Sequence, residues 1–196
     1  MHTLLPLALF ALVSSITPGP NNIMLASSGH RFGFVRSIPH LLGVTLGFAV
    51  MLVACAFGVG RLVLALPALQ LGLKLAGSGY LLYLAWQLRS LSLTLGGKAG
   101  QKPMTFLGAA AFQVVNPKAW VMAVTGVAAF MPVMAPLALA TLVFCAVFAA
   151  VNLPCVSLWA ATGAALRRYL DQPRWQHLFC GAMMVLTLYC ALAIWL

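Results

Sequence analysis

Six apolar runs, each about the length that crosses a bilayer, follow one another along this chain with only short connections between them. They fall at 3–28, 38–60, 67–88, 106–131, 136–158 and 177–196. A helix needs ~20 mostly apolar residues to cross the hydrocarbon core, so about six crossings use up the whole length. No stretch remains for a separate catalytic module. With 63% of residues hydrophobic and 6% charged, the chain lacks the polar surface that a soluble domain requires. The expected fold is all-α: a polytopic membrane protein of six transmembrane helices, forming one transmembrane domain over 1–196.

The net charge of +10 reflects Lys and Arg set against a single acid, Asp171. A nucleic-acid reader gathers such charge on one face, interleaved with aromatic or polar groups. Here the basic residues stand singly or in small groups between apolar runs, so no nucleic-acid partner is expected. They report topology instead, because short cytoplasmic connections retain Lys and Arg. The first connection holds Arg31 and Arg36, the third Arg89, Lys98 and Lys102, and the fifth Arg167, Arg168 and Arg174. Against these the opposite side has Arg61 alone, with Lys74 and Lys118 inside spans. Both termini are therefore expected outside, in a bacterial inner membrane with the bilayer as partner. An apolar stretch at 4–13 followed by small residues resembles a signal peptide, but it lacks the basic leading region. The apolar pattern resumes at Ile23, and the two pieces are expected to form one interrupted crossing. Cys55, Cys145, Cys155, Cys180 and Cys190 all lie in apolar runs without a C-x-x-C pair and read as buried hydrophobes.

An odd number of spans per half makes the halves, roughly 1–89 and 103–196, run in opposite directions. Each half opens with a span broken near its middle, at Thr17-Pro18-Gly19-Pro20-Asn21-Asn22 and at Asn116-Pro117-Lys118. Paired interruptions in two inverted halves point to a transporter's midplane site, although ordinary proline kinks also occur in membrane helices. Pro18, Pro20 and Pro117 have no N–H, so the carbonyls of Ser14, Ile16 and Gln113 lose their helical partners. In hydrocarbon an unpaired backbone group costs several kcal/mol, so the breaks are expected to face inward.

Lys118 lies about twelve residues, or ~18 Å, from either end of its span, too far to snorkel to water. A lysine at that depth costs ~2.5–3.5 kcal/mol and should face a cavity or a partner. With no acid in any span, carbonyls, asparagines, water or a bound carboxylate are its available partners. Lys74 sits only ~10 Å from its span end, where snorkelling suffices. Gly43 and Gly47 form a small-x-x-x-small step. Packing within one chain is expected there, and a homodimer stays open. Trp86, Trp159, Trp175 and Trp195 read as interfacial anchors near span ends. Asn152, followed by Pro154, is a candidate cavity residue in span five.

Several motifs carry a resemblance: Thr17-Pro18-Gly19-Pro20-Asn21-Asn22, Gly33-Phe34, Gly43-x-x-x-Gly47, the stretch Gly77-Ser78-Gly79-Tyr80-Leu81-Leu82-Tyr83-Leu84-Ala85-Trp86, and Asn116-Pro117-Lys118-Ala119-Trp120. In order and spacing the chain resembles the LysE/RhtB superfamily of bacterial amino-acid exporters over nearly its whole length. Pro18-Gly19-Pro20-Asn21 and the ending Leu188-Tyr189-Cys190-Ala191 look most similar to the branch that exports cysteine and O-acetylserine. The resemblance implies a secondary transporter, not an enzyme, that exports small neutral amino acids or derivatives of the cysteine, O-acetylserine or homoserine/threonine type. It also implies drive by the proton gradient. Family members carry an Asp in span five where this chain has Asn152, which puts coupling through a carboxylate in doubt.

On that reading the first N–H groups of the half-helix resuming at 21–23 would cradle the carboxylate of an amino acid. Asn21 and Asn22 would supply donors and acceptors, or simply cap the new helix. The substrate-binding set is then Thr17, Pro18, Gly19, Pro20, Asn21, Asn22, Asn116, Pro117, Lys118 and Asn152. Proton coupling would fall to His40, Lys118 or Tyr80, with an interfacial role the bland reading of His40; facilitated export without protons stays open. An intramembrane enzyme would need a base and an orienting acid. Divalent-metal efflux would need several oxygen ligands, usually carboxylates. No span offers an acid for either. No cofactor and no metal site is expected.

Overall fold

Proline starts most of the helices and glycine stops two of them. The computed structural model describes residues 4–59, 62, 65–93, 102–131, 136–166, 173–193 and 195. Among these the architecture is all-α and contains no strand. The helices are α1 (Leu4–Ile16), α2 (Pro20–Phe32), α3 (Ile38–Ala56), α4 (Pro67–Leu93), α5 (Phe106–Val115), α6 (Pro117–Phe130), α7 (Leu137–Leu166) and α8 (Pro173–Ala193). Pro20, Pro39 and Pro117 occupy first-turn positions, where the missing N–H costs nothing. Gly33, at φ 82°, ends α2 in a conformation that disfavours a side chain, and its N–H still reaches the Gly29 carbonyl at 2.9 Å. Gly58, at φ 105°, follows α3 in the same way.

Among the described residues two helices are long and apolar enough to cross a membrane, Val35–Ala56 with its leading 3-10 turn, and Leu137–Leu166. A third crossing results if α1 and α2, bent by 56° at their break, count as one span. The break expected in the first apolar run is therefore present, and α5 and α6 meet at a second one at Asn116. The fifth run is corrected in length. Expected to end at 158, it continues as α7 to Leu166 and stays helical through Pro154. Arg61, Lys98, Arg167, Arg168 and Asp171 lie outside the described residues, as do the side chains of Arg89 and Cys190. The four described cysteines are unpaired.

Helices pair selectively. α1 and α2 pack on α7, α3 packs on α5 and α6, and α4 packs on α8. Small residues set the closest approaches, as association in lipid requires. A Cβ on Gly43 would overlap the Phe106 carbonyl and one on Gly47 the backbone of Ala110, so that step is used inside the chain. A second seam joins α2 to α7, where Gly29 meets the Ala160 backbone and Gly163 meets that of Ala26. One apolar cluster gathers Leu7, Ala11, Phe48, Leu52, Ala123, Phe144 and Phe148; another gathers Leu25, Leu41, Val44, Ala109, Val156 and Ala160. Along α3 and α7 alike, the buried polar residues Thr45 and Asn152 fall between the two clusters. The core is thus two greasy layers with a polar layer between them.

Beyond this core, Trp195 donates from Nε1 to Ser78 Oγ at 2.9 Å, and the Lys74 ammonium lies 5.7 Å from the Trp195 ring centre. Lys74, expected to snorkel, also has an aromatic face to rest on.

Candidate functional site

The polar layer is built from what the prolines remove. Pro18 strips the Ser14 carbonyl of its helical donor, and Thr17 Oγ1 replaces it at 3.1 Å. Pro20 does the same to Ile16, whose carbonyl accepts from Trp159 Nε1 at 3.1 Å. Pro117 frees the Gln113 carbonyl, which takes the Asn116 N–H at 3.2 Å in a tightened last turn. Nearby, Asn22 Nδ2 donates to the carbonyls of Ser15 at 2.7 Å and Thr17 at 2.8 Å, and Trp120 Nε1 donates to Val114 at 2.7 Å.

Lys118 joins the two breaks. From the first turn of α6 its ammonium donates to the Thr17 carbonyl at 2.7 Å, to Thr17 Oγ1 at 2.9 Å and to the Pro18 carbonyl at 3.3 Å. Its methylenes lie over Gly19, where an added Cβ would stand 2.6 Å from Lys118 Cδ. A side chain at that position would push the lysine away from its bonds to the first break. Asn152 Nδ2 donates to Ser15 Oγ at 3.0 Å, and its Oδ1 accepts from Thr45 Oγ1 at 3.2 Å. These groups enclose a cavity of about 30 Å³, lined among others by Ser15, Asn21, Asn22, Asn116, Lys118 and Asn152. At ~10–15 Å³ per water, it has room for about two. Asn116, one of these lining residues, is 2% exposed, and its side-chain oxygen is buried without a hydrogen-bond partner. A buried, unsatisfied acceptor facing a polar hollow is a place for a donor to bind.

The family described as LysE type translocator matches residues 12–192. The chain belongs to that family. The cysteine/O-acetylserine efflux proteins of Escherichia coli strain K12, Shigella flexneri serotype 5b and Shigella sonnei are each 36% identical to it over 121 residues. That stretch is 62% of the chain and 62% of each relative's own length. No solved structure matches.

In this LysE type translocator the expected site residues divide into three groups. Gly19, Pro20, Asn21, Asn22, Asn116, Lys118 and Asn152 line the cavity together. Thr17 and Pro18 are exposed and reach it through their bonds to Lys118 and, for Thr17, to Asn22, while Pro117 is half-buried outside the lining. His40 stands apart from the lining. It is 1% exposed, with neither ring nitrogen partnered. Tyr80 belongs to α4, and its side chain lies outside the described residues.

Two further expectations are corrected. Gly19, not an asparagine, holds the cap position of α2, and no side chain caps it. With Pro20 leading the helix, Asn21 and Asn22 fall inside its first turn, where Asn22 reaches back across the break. Trp159 is not a span-end anchor, because α7 runs on to Leu166 and places the indole against the first break. Sequence reasoning missed Gln113 as a side chain. Its Nε2 donates to Asn21 Oδ1 at 3.1 Å, and Asn21 Nδ2 donates to Gln113 Oε1 at 2.9 Å. A neutral amide in an otherwise apolar stretch was the available signal.

Proposed function

We propose that this chain is a secondary transporter of the bacterial inner membrane that exports small neutral amino acids or derivatives, of the cysteine and O-acetylserine type, from the cytoplasm. The carrying observation is Lys118, which leaves one broken helix to hold the carbonyls of another beside a cavity with an unsatisfied acceptor. An amino-acid zwitterion offers the complement of both. Its carboxylate takes Lys118 and the first N–H groups of α2, where the helix dipole is positive. Its ammonium takes Asn116 Oδ1.

The cavity is far below the ~300–1,000 Å³ of a small-molecule pocket, so cargo enters when the Lys118 bonds to the first break open. Cargo and latch then compete for one ammonium, and carboxylate binding itself releases the break. The names of the matched relatives favour cysteine and O-acetylserine as cargo.

The transporter has six spans in two inverted halves, 1–89 and 103–196, with both termini outside and Arg31, Arg36 and Lys102 on the cytoplasmic side. The pairing of helices supports the inversion: exchanging the halves turns the α1/α2 packing on α7 into the α5/α6 packing on α3, and returns α4 on α8 to itself. Export is coupled to the proton gradient, with His40, Lys118 and Tyr80 as the candidate carriers, and the unpartnered ring nitrogens of His40 favour it among the three.

Everted membrane vesicles test this reading. Those carrying the protein should accumulate labelled cysteine and O-acetylserine when the lumen is acidified, and a protonophore should abolish the uptake. Failure to accumulate any small neutral amino acid would reject export; uptake indifferent to the protonophore would reject coupling alone.

A further inference from the structure

A second hollow of about 440 Å³, open along one side where Val50, Leu69 and Val114 are exposed, lies next to the polar cavity. Gly47, Val50 and Met51 of α3, Leu69 of α4, and Ala110 and Val114 of α5 line it, and the lining is otherwise almost wholly apolar. Its volume falls within the ~300–1,000 Å³ range of small-molecule pockets, whereas the polar cavity falls far short. The two are neighbours across the same helices. On α3, Val44 and Phe48 line the polar cavity while Gly47 and Met51 line the hollow; at the second break, Asn116 and Lys118 line one while Val114 and Trp120 line the other.

One bonded pair of side chains spans from the first to the second. Asn21 lines the polar cavity, Gln113 lines the hollow, and two reciprocal hydrogen bonds of 2.9 and 3.1 Å join them. Gln113 is 1% exposed, and its remaining N–H goes to the Ala109 carbonyl at 2.9 Å, which fixes the amide plane. An apolar side chain pushing through would separate the amides and offer them nothing in return, leaving buried donors and acceptors unpaired.

We propose that the Asn21–Gln113 pair is the specificity wall of the site, denying amino acids with large apolar side chains the hollow behind it. This rests on the export reading and says which cargo that site refuses. Side chains that stop at the wall, such as those of cysteine and O-acetylserine, are accepted. Leucine, norleucine and phenylalanine are excluded although a space large enough for them is one side chain away. Sites that must break polar pairs to admit an apolar group discriminate strongly, by factors of 10 or more.

Shortening Gln113 tests the wall. In everted vesicles Gln113→Ala should raise leucine uptake relative to cysteine uptake at least roughly tenfold. Adding Ala54→Leu, which fills the hollow from α3, should take most of that gain away. The same order should appear without transport, as leucine-induced thermal stabilisation of the purified Gln113→Ala protein and none of the parent. If Gln113→Ala does not fold, Gln113→Asn opens a similar gap with an amide retained. A folded variant whose leucine-to-cysteine ratio and leucine stabilisation both match the parent overturns the wall. Absence of all amino-acid uptake by the parent would instead strike the export reading, and leucine stabilisation would then decide the wall alone.

Discussion

The two helix breaks have the same cause and opposite dependencies. The second, at Asn116, repairs itself: the Gln113 carbonyl takes the Asn116 N–H, and Val114 takes the indole of Trp120 six residues on. The first, at Thr17–Pro20, contains two prolines and bends the span by 56°, and local groups satisfy only part of it. It borrows Trp159 from α7 and Lys118 from α6. One break is thus self-contained and serves as a fixed post, and the other is held open by the opposite half of the chain. That asymmetry makes the first break the part whose geometry can answer to cargo, since its supports are the groups that cargo would engage.

Removing the borrowed cation should have the largest effect. Lys118→Ala takes away charge-assisted bonds worth ~1.5–3 kcal/mol, and vesicle uptake of cysteine should fall roughly 10- to 100-fold while the protein still elutes as a folded species. Wild-type uptake by that variant would mean that the two breaks work independently. Next comes Asn22→Ala, which leaves the Ser15 carbonyl without its donor and weakens the shell of Thr17. A loss of about 2 kcal/mol is expected from such an orphaned acceptor, read as a lower midpoint of thermal unfolding in detergent. The smallest effect sharpens the contrast directly. Trp159→Phe and Trp120→Phe each delete one N–H···O bond, worth about 1 kcal/mol. Hydrogen exchange should quicken in both 14–19 and α7 for Trp159→Phe, but only around 114–120 for Trp120→Phe. Equal, purely local responses would erase the distinction between the breaks.

What could be read from the sequence follows the range of each interaction. A proline removes its own N–H wherever the chain goes, so the orphaned carbonyls of Ser14, Ile16 and Gln113 were legible. Which groups come to their aid was not, because Trp159 lies 143 residues from Ile16 and Gln113 lies 92 from Asn21. Trp159 was misread for a specific reason: the small residues after 158 look like the end of a span, and tryptophan near a span end looks like an anchor. The burial of His40 was not legible either, because it depends on how α3 packs against its neighbours. The family motif pointed to Asn116, which lines the cavity. That its oxygen would be left unsatisfied depends on every neighbour at once.

The α2–α7 seam carries one more consequence. Ala26 and Gly29 on one helix face Gly163 and Ala160 on the other in crossed order, each glycine seated on an alanine's backbone. Slipping either helix along its axis by a residue would drive a methyl group into a main chain that has no gap for it. The seam therefore acts as a keyed joint, which leaves α2 and α7 free to pivot on each other but not to slide past.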